Sequence, residues 1–155
     1  PSVYVPRSFP TRFKAEVRSL TTLVEVSGPA EIRPGIYTAG EVSRGIVEQA
    51  LVAKTDDGPN VVTGCAHPGV VEIVRRAKES IGVAGGKVHL VMGGFHLGGT
   101  SRRRVRAIMA DFRRLGVQRV APCHCTGDQA IRMFAEEYGG DFMKVGVGTV
   151  VDIGP

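Results

Sequence analysis

The chain has 155 residues, of which 43% are hydrophobic and 23% charged, and it carries a formal charge of +5. That length suits one domain with a sizeable core, and the composition excludes a chain that is mostly disordered. No apolar run approaches a membrane span and no charged-then-apolar leader opens the sequence, so the cytoplasm is the default location.

Taken in order, the chain starts at Pro1 without an initiator methionine, which suits a trimmed or partial polypeptide. Val3-Tyr4-Val5 reads as a short strand closed by Pro6, and residues 7–18 as loop with at most one helical turn. β-branched content makes residues 21–26 a strand, broken by Ser27-Gly28-Pro29. A Pro- and Gly-punctuated stretch follows, with a short strand at 35–38. The runs at 49–55 and 60–63 flank Asp56-Asp57-Gly58-Pro59, and an Asp-Gly turn between apolar runs signals a hairpin. Val70, Ile73, Val74, Ala77 and Ile81 then recur at helical spacing until Gly82 and the pair Gly85-Gly86 stop the pattern.

A strand at 88–92 leads to a second helix, opened by Ser101 as N-cap, with Val105, Ile108, Met109, Phe112 and Leu115 inward, and closed by Gly116. A strand at 117–121 leads to a third, opening at Asp128, with Ile131, Phe134, Ala135 and Tyr138 inward, and ending at Gly139-Gly140. Two terminal strands are expected near 142–145 and 149–153. Gly86-Lys87 lacks the spacing of a phosphate-binding P-loop.

Three strand–loop–helix units in a row predict a parallel sheet whose loops share one edge, the edge where open α/β sheets place ligands. Each loop brings a histidine: His67 after Cys65 and before Pro68, His96 between Gly93-Gly94 and Gly98-Gly99, and His124 between Cys123 and Cys125. The paired glycines imply close backbone approach or a sharp bend. If the chain stays extended at the last site, Cys123 and Cys125 face the core and His124 the cleft. A structural zinc on Cys65, Cys123, Cys125 and His67 lacks the usual two-to-four-residue cysteine spacing. Three cysteines, an odd number, also argue against a secreted disulfide framework. His89 lies inside an apolar strand and reads as core or helix-facing. The arginines at 75, 76, 102–104, 106, 113 and 114 form helix faces with no aromatic platform between them. Nucleic acid is therefore a weaker expectation than a small anionic substrate such as a phosphate ester.

Together, Thr63-Gly64-Cys65-Ala66-His67-Pro68-Gly69, Gly93-Gly94-Phe95-His96-Leu97-Gly98-Gly99 and Ala121-Pro122-Cys123-His124-Cys125-Thr126-Gly127-Asp128 resemble the C-terminal half of metallo-β-lactamase-superfamily proteins. The branch is that of the dihydropterin ribofuranosylaminobenzene-phosphate synthase-like metallohydrolases, which residues 31–41 also fit. The resemblance implies an α/β fold, namely the C-terminal half of an αββα sandwich, with a mixed sheet flanked by helices and a metal site at the sheet edges. It implies His67 and His124 as metal ligands. His96, standing where the superfamily usually has a bridging aspartate, becomes a ligand or an acid/base catalyst. The implied cofactor is a divalent metal, zinc first, with manganese or iron as alternatives. The implied reaction is hydrolysis, or a related transfer, on a small phosphorylated or pterin-like substrate through metal-activated water.

The family's His-x-His-x-Asp-His signature is absent from residues 1–155, so the expectation is a single incomplete domain. Its open sheet face would be covered by an N-terminal half or by a second copy in a homo-oligomer. The alternative expectation is a truncated, non-catalytic module that self-associates.

Overall fold

Short apolar strands with glycine at their ends set the architecture. The computed structural model of the chain describes residues 1–82 and 86–154. Gly85, counted above among the helix stops, lies outside the described residues.

The first elements are β1 (Ser2–Pro6), α1 (Thr11–Leu20) and β2 (Thr22–Val26), with β1 and β2 paired in parallel. α1 corrects the loop expected over residues 7–18. Its apolar residues Phe13, Val17 and Leu20 recur at helical spacing, a short signal lost among the basic residues, and none of them is fully buried. Next come β3 (Ala30–Arg33) and β4 (Ile36–Thr38), then the small hairpin of β5 (Val42–Arg44) and β6 (Ile46–Glu48), which turns at Gly45 with φ 102°. Strands of three or four residues, as β3, β5 and β6 are, are too short to show alternation. β7 (Leu51–Thr55) and β8 (Gly58–Thr63) form the hairpin that the Asp-Gly signal predicts.

The rest alternates: α2 (Val70–Ser80), β9 (Val88–Gly94), α3 (Arg102–Arg114), β10 (Val117–Cys123) and α4 (Asp128–Tyr138). The main sheet has the order β10-β9-β8-β7-β4-β3, parallel from β10 to β8 and antiparallel from there on. It is the mixed α/β sheet expected. The crossovers through α2 and α3 advance in the same direction across the sheet, so both helices cover one face, and α4 packs against α3 and β10. The register aligns Val52, Val61, Val91 and Val120 in a row across four strands, each with no exposed surface. Ile73, Val74, Val105, Phe112 and Phe134 join that row in a single core. Burying a side chain of this size is worth roughly 1.5–3 kcal/mol, which fixes the strands' register.

Two further corrections concern the C-terminal part. On α4 the buried residues are Ala130, Met133, Phe134 and Tyr138 rather than Ile131 and Ala135, because docking on both α3 and β10 rotates the inward stripe. The terminal strands do not form. Phe142 makes one isolated bridge to Val120, and the Met143 N–H donates to the Val120 carbonyl at 2.8 Å. Beyond it Val147 and Val150 stay exposed, and glycines at 146 and 148 weaken any continued pairing. No helix among the described residues is long and apolar enough to cross a membrane.

Candidate metal centre

Because β8, β9 and β10 lie parallel and adjacent, the loops that follow them sit along one sheet edge, as expected. Glycine lets these loops touch. A Cβ on Gly93 would stand 2.1 Å from the Thr63 carbonyl oxygen, and one on Gly94 would stand 2.6 Å from the Gly64 oxygen and 2.8 Å from Cys125 Sγ. A Cβ on Gly127 would lie 2.9 Å from Gly98 Cα. Hydrogen bonds complete the frame. The Gly94 N–H donates to the Gly64 carbonyl at 2.8 Å, the Phe95 N–H donates to Thr126 Oγ1 at 3.1 Å, and that hydroxyl donates to the Cys123 carbonyl at 2.6 Å.

Each loop also holds one strained residue. Among the described residues, the non-glycine positions with positive φ are Ala66 at 58°, His96 at 51° and His124 at 49°. Such conformations persist only where the surroundings over-determine them, and they gather at functional sites. Phe95 shows how this is done. Its ring is buried edge-on against Phe112 and Phe134, at centroid distances of 5.6 and 5.4 Å. With Phe95 anchored in the core, the next residue turns outward, and His96 is exposed.

His67 lies in a turn closed by the Gly69 N–H donating to the Ala66 carbonyl at 2.9 Å. Its Nδ1 pairs with Glu48 Oε1 at the end of β6. With Glu48 ionised, Nδ1 carries the proton and Nε2 keeps its lone pair. The His67 and His96 rings are 4.4 Å apart at 54°. Glu48 is the residue beside His67 that sequence reasoning missed. A lone acid on a three-residue strand gives no signal, and only the fold brings it to a histidine nineteen positions away.

His124 keeps different company. The expectation that Cys123, His124 and Cys125 stay extended fails. β10 ends at Cys123, the chain enters a 3-10 turn from His124 to Thr126, and the left-handed φ at His124 breaks the alternation. Cys125 therefore swings beside the first loop. The donor atoms of Cys65, His124 and Cys125 all lie within 4.8 Å of one another. Among the described residues, His67, His96 and His124 do not form a set of three that close. Burial pushes the Cys65 thiol pKa up, with Cys125 and then Glu48 adding to it. Burial also raises that of Cys123, which Cys125 reinforces.

His89 is not a buried core residue, and the cleft it lines includes Arg113 at the end of α3. His89 is half-buried, its Nε2 lies 3.3 Å from Arg119 Nη1, and it lines a cleft of about 790 Å³ with Asp56, Asp57, Lys87 and Asp141. That cleft opens near the first residues of β9 and β10, at the opposite edge of the sheet from the histidine loops. Its volume does not make it the functional site. It has mixed charges and none of the strained residues.

A mixed sheet that gathers histidine loops at one edge, with helices on one face, defines the class: the chain belongs to the metallo-β-lactamase superfamily. No protein-family model matches it. It is 33% identical over 149 residues to the 7,8-dihydropterin-6-methyl-4-(β-D-ribofuranosyl)-aminobenzene-5′-phosphate synthase of Methanocaldococcus jannaschii, covering 79% of this chain and 50% of that protein. It is 30% identical over 93 residues to an uncharacterized protein of the same organism, covering 60% of this chain and 33% of that one. The chain thus spans half or less of the curated relatives it matches. The crystal structure of a metal-dependent hydrolase of the β-lactamase superfamily superposes with a TM-score of 0.76 at 29% identity, covering 92% of this chain and 63% of that one.

Proposed function

We propose that the chain is part of a metal-dependent hydrolase, or a related transferase, that acts on a small phosphorylated or pterin-like molecule. The observation that carries this reading is the Glu48–His67 pair. A carboxylate on one ring nitrogen fixes the tautomer and leaves the other nitrogen free, which is how metal-binding histidines are usually held. Glu48 Oε2 is buried without a partner, so the pair is not a closed structural contact. Imidazoles backed by a carboxylate suit zinc, with manganese and iron as alternatives.

His67 and His124 would hold the ion, with further ligands from outside this chain. A divalent cation there would supply Lewis acidity towards water or a phosphoryl oxygen. His96, exposed beside His67, would move a proton through its imidazole nitrogen at the reacting oxygen. The substrate class draws on two things. The name of the archaeal synthase contains both a dihydropterin and a 5′-phosphate. In addition, Arg44, Arg75 and Arg104 line a recess beside Pro68 and Gly69, next to His67. Glu72 pairs with Arg75 and Asp111 with Arg114, which leaves Arg44 and Arg104 to meet an anion.

The test is metal affinity measured by chelator competition. In a Cys65→Ser, Cys125→Ser background, His67→Ala should abolish tight zinc binding, and Glu48→Gln should weaken it by about 10–100-fold. Unchanged affinity in both variants would overturn the reading.

A further inference from the structure

Cys65 and Cys125 come from different loops, and the function proposed above uses neither. Cys65 follows β8, Cys125 sits in the turn after β10, and Gly94 of β9 lies between them. Gly94 has no side chain to fill that space. Its Cβ would stand 2.8 Å from Cys125 Sγ and 3.3 Å from Cys65 Cα. Both cysteines are free and half-buried, while the His124 ring reaches solvent on the same cluster.

We propose that Cys65, Cys125 and His124 form a thiophilic metal site of their own, taking zinc, cadmium or copper(I) through two sulfurs and one nitrogen. The spacing supports it. Tetrahedral zinc with sulfur at 2.3 Å places its sulfurs about 3.8 Å apart. The three donors, already within 4.8 Å of one another, need close by only about 1 Å. The hydrogen bonds from the Gly94 N–H to the Gly64 carbonyl and from the Phe95 N–H to the Thr126 hydroxyl hold the two loops in place before any ion arrives. Two thiolates and an imidazole are a soft donor set, and three protein ligands leave a fourth position open on the exposed His124 side. Each thiol loses its proton on binding, so two protons leave per divalent ion. The Cys125 thiol otherwise makes one weak contact, donating to the Cys65 carbonyl at 3.5 Å. A simple filler role accounts for that contact but not for the histidine beside it. The site shares only His124 with the His67 reading, and one ring can serve one ion at a time.

The test uses the reduced full chain and cadmium as probe. One equivalent should give a near-ultraviolet thiolate-to-metal absorption band and should slow alkylation of Cys65 and Cys125, but not of Cys123, by at least tenfold. Cys65→Ser and Cys125→Ser should each remove the band, whereas His67→Ala should keep it. A band that survives both serine variants, or wild-type alkylation rates that cadmium leaves unchanged, would overturn the proposal. The alkylation measurement needs no variant to fold. Loss of zinc binding by His67→Ala in the Cys65→Ser, Cys125→Ser background, with the cadmium band of the single His67→Ala variant intact, would separate this site from the one proposed above.

Discussion

One methyl group at position 93 measures how tightly the histidine loops are packed. Gly93 has φ 125°, and a Cβ there would stand 2.1 Å from the Thr63 carbonyl oxygen. The neighbour is the backbone of Thr63, the last residue of the interior strand β8, and cannot yield as a flexible side chain would. Gly93→Ala should therefore destabilise the fold by about 3 kcal/mol or more, combining overpacking with left-handed strain. Urea unfolding checks this, and a variant as stable as its parent would mean that the loops are not in contact. The same loops carry left-handed backbone at His96 and His124. Strain of that kind costs about 1–3 kcal/mol per residue, so the surrounding packing must hold these two residues in place.

The packing of α3 on α4 is where pH enters. The Arg113 guanidinium lies 3.9 Å from the centre of the Tyr138 ring, and its Nη2 donates to the Glu137 carbonyl at 3.0 Å. Tyr138 is buried and its hydroxyl has no partner. Burial pushes its pKa from 10.0 up to about 12, with Arg113 opposing and Glu137 and Asp141 adding. The folded-state value is raised, so the neutral phenol's contribution is complete below pH 10 and is lost as pH climbs from 10 towards 12. Unfolding measured against pH should show this alkaline limb. Tyr138→Phe should flatten it, and near neutral pH that variant should be as stable as its parent or up to about 1 kcal/mol more stable. An unaltered limb in the variant would assign the alkaline loss to another group.

At the scale of the whole molecule, three strands distant in sequence deliver their loops to one edge, so an ion bound there braces β8, β9 and β10 together. Zinc at one hundred times its dissociation constant should raise the free energy of unfolding by about 2.7 kcal/mol, and a chelator should reverse the gain. Thermal melts with and without zinc and EDTA read this directly. A melting temperature indifferent to zinc would mean that the native fold holds no ion. The helices cover one face of the six-stranded sheet, and on the same sheet Leu51 keeps 41% of its surface exposed.

What could be read in the chain itself was local and repetitive. Val70 to Ala77 and Val105 to Phe112 repeat at helical spacing, and each glycine- or proline-bearing strand end announced a loop, so three parallel units and the shared edge of His67, His96 and His124 were legible. Residues 11–20 hid their helix because its one apolar row, Phe13, Val17 and Leu20, is short, interrupted by charged residues and not fully buried. Residues 142–145 and 149–153 read as strands from their apolar and β-branched content, but pairing stops at the one bridge from Phe142 to Val120. Glu48 against His67, and Cys125 beside Cys65, were decided by the tertiary structure alone. Each joins residues from separate elements, and no spacing along a chain encodes which strand ends meet. That depends on strand order, on where glycine lets backbones touch, and on one left-handed turn at His124 that an extended reading could not contain.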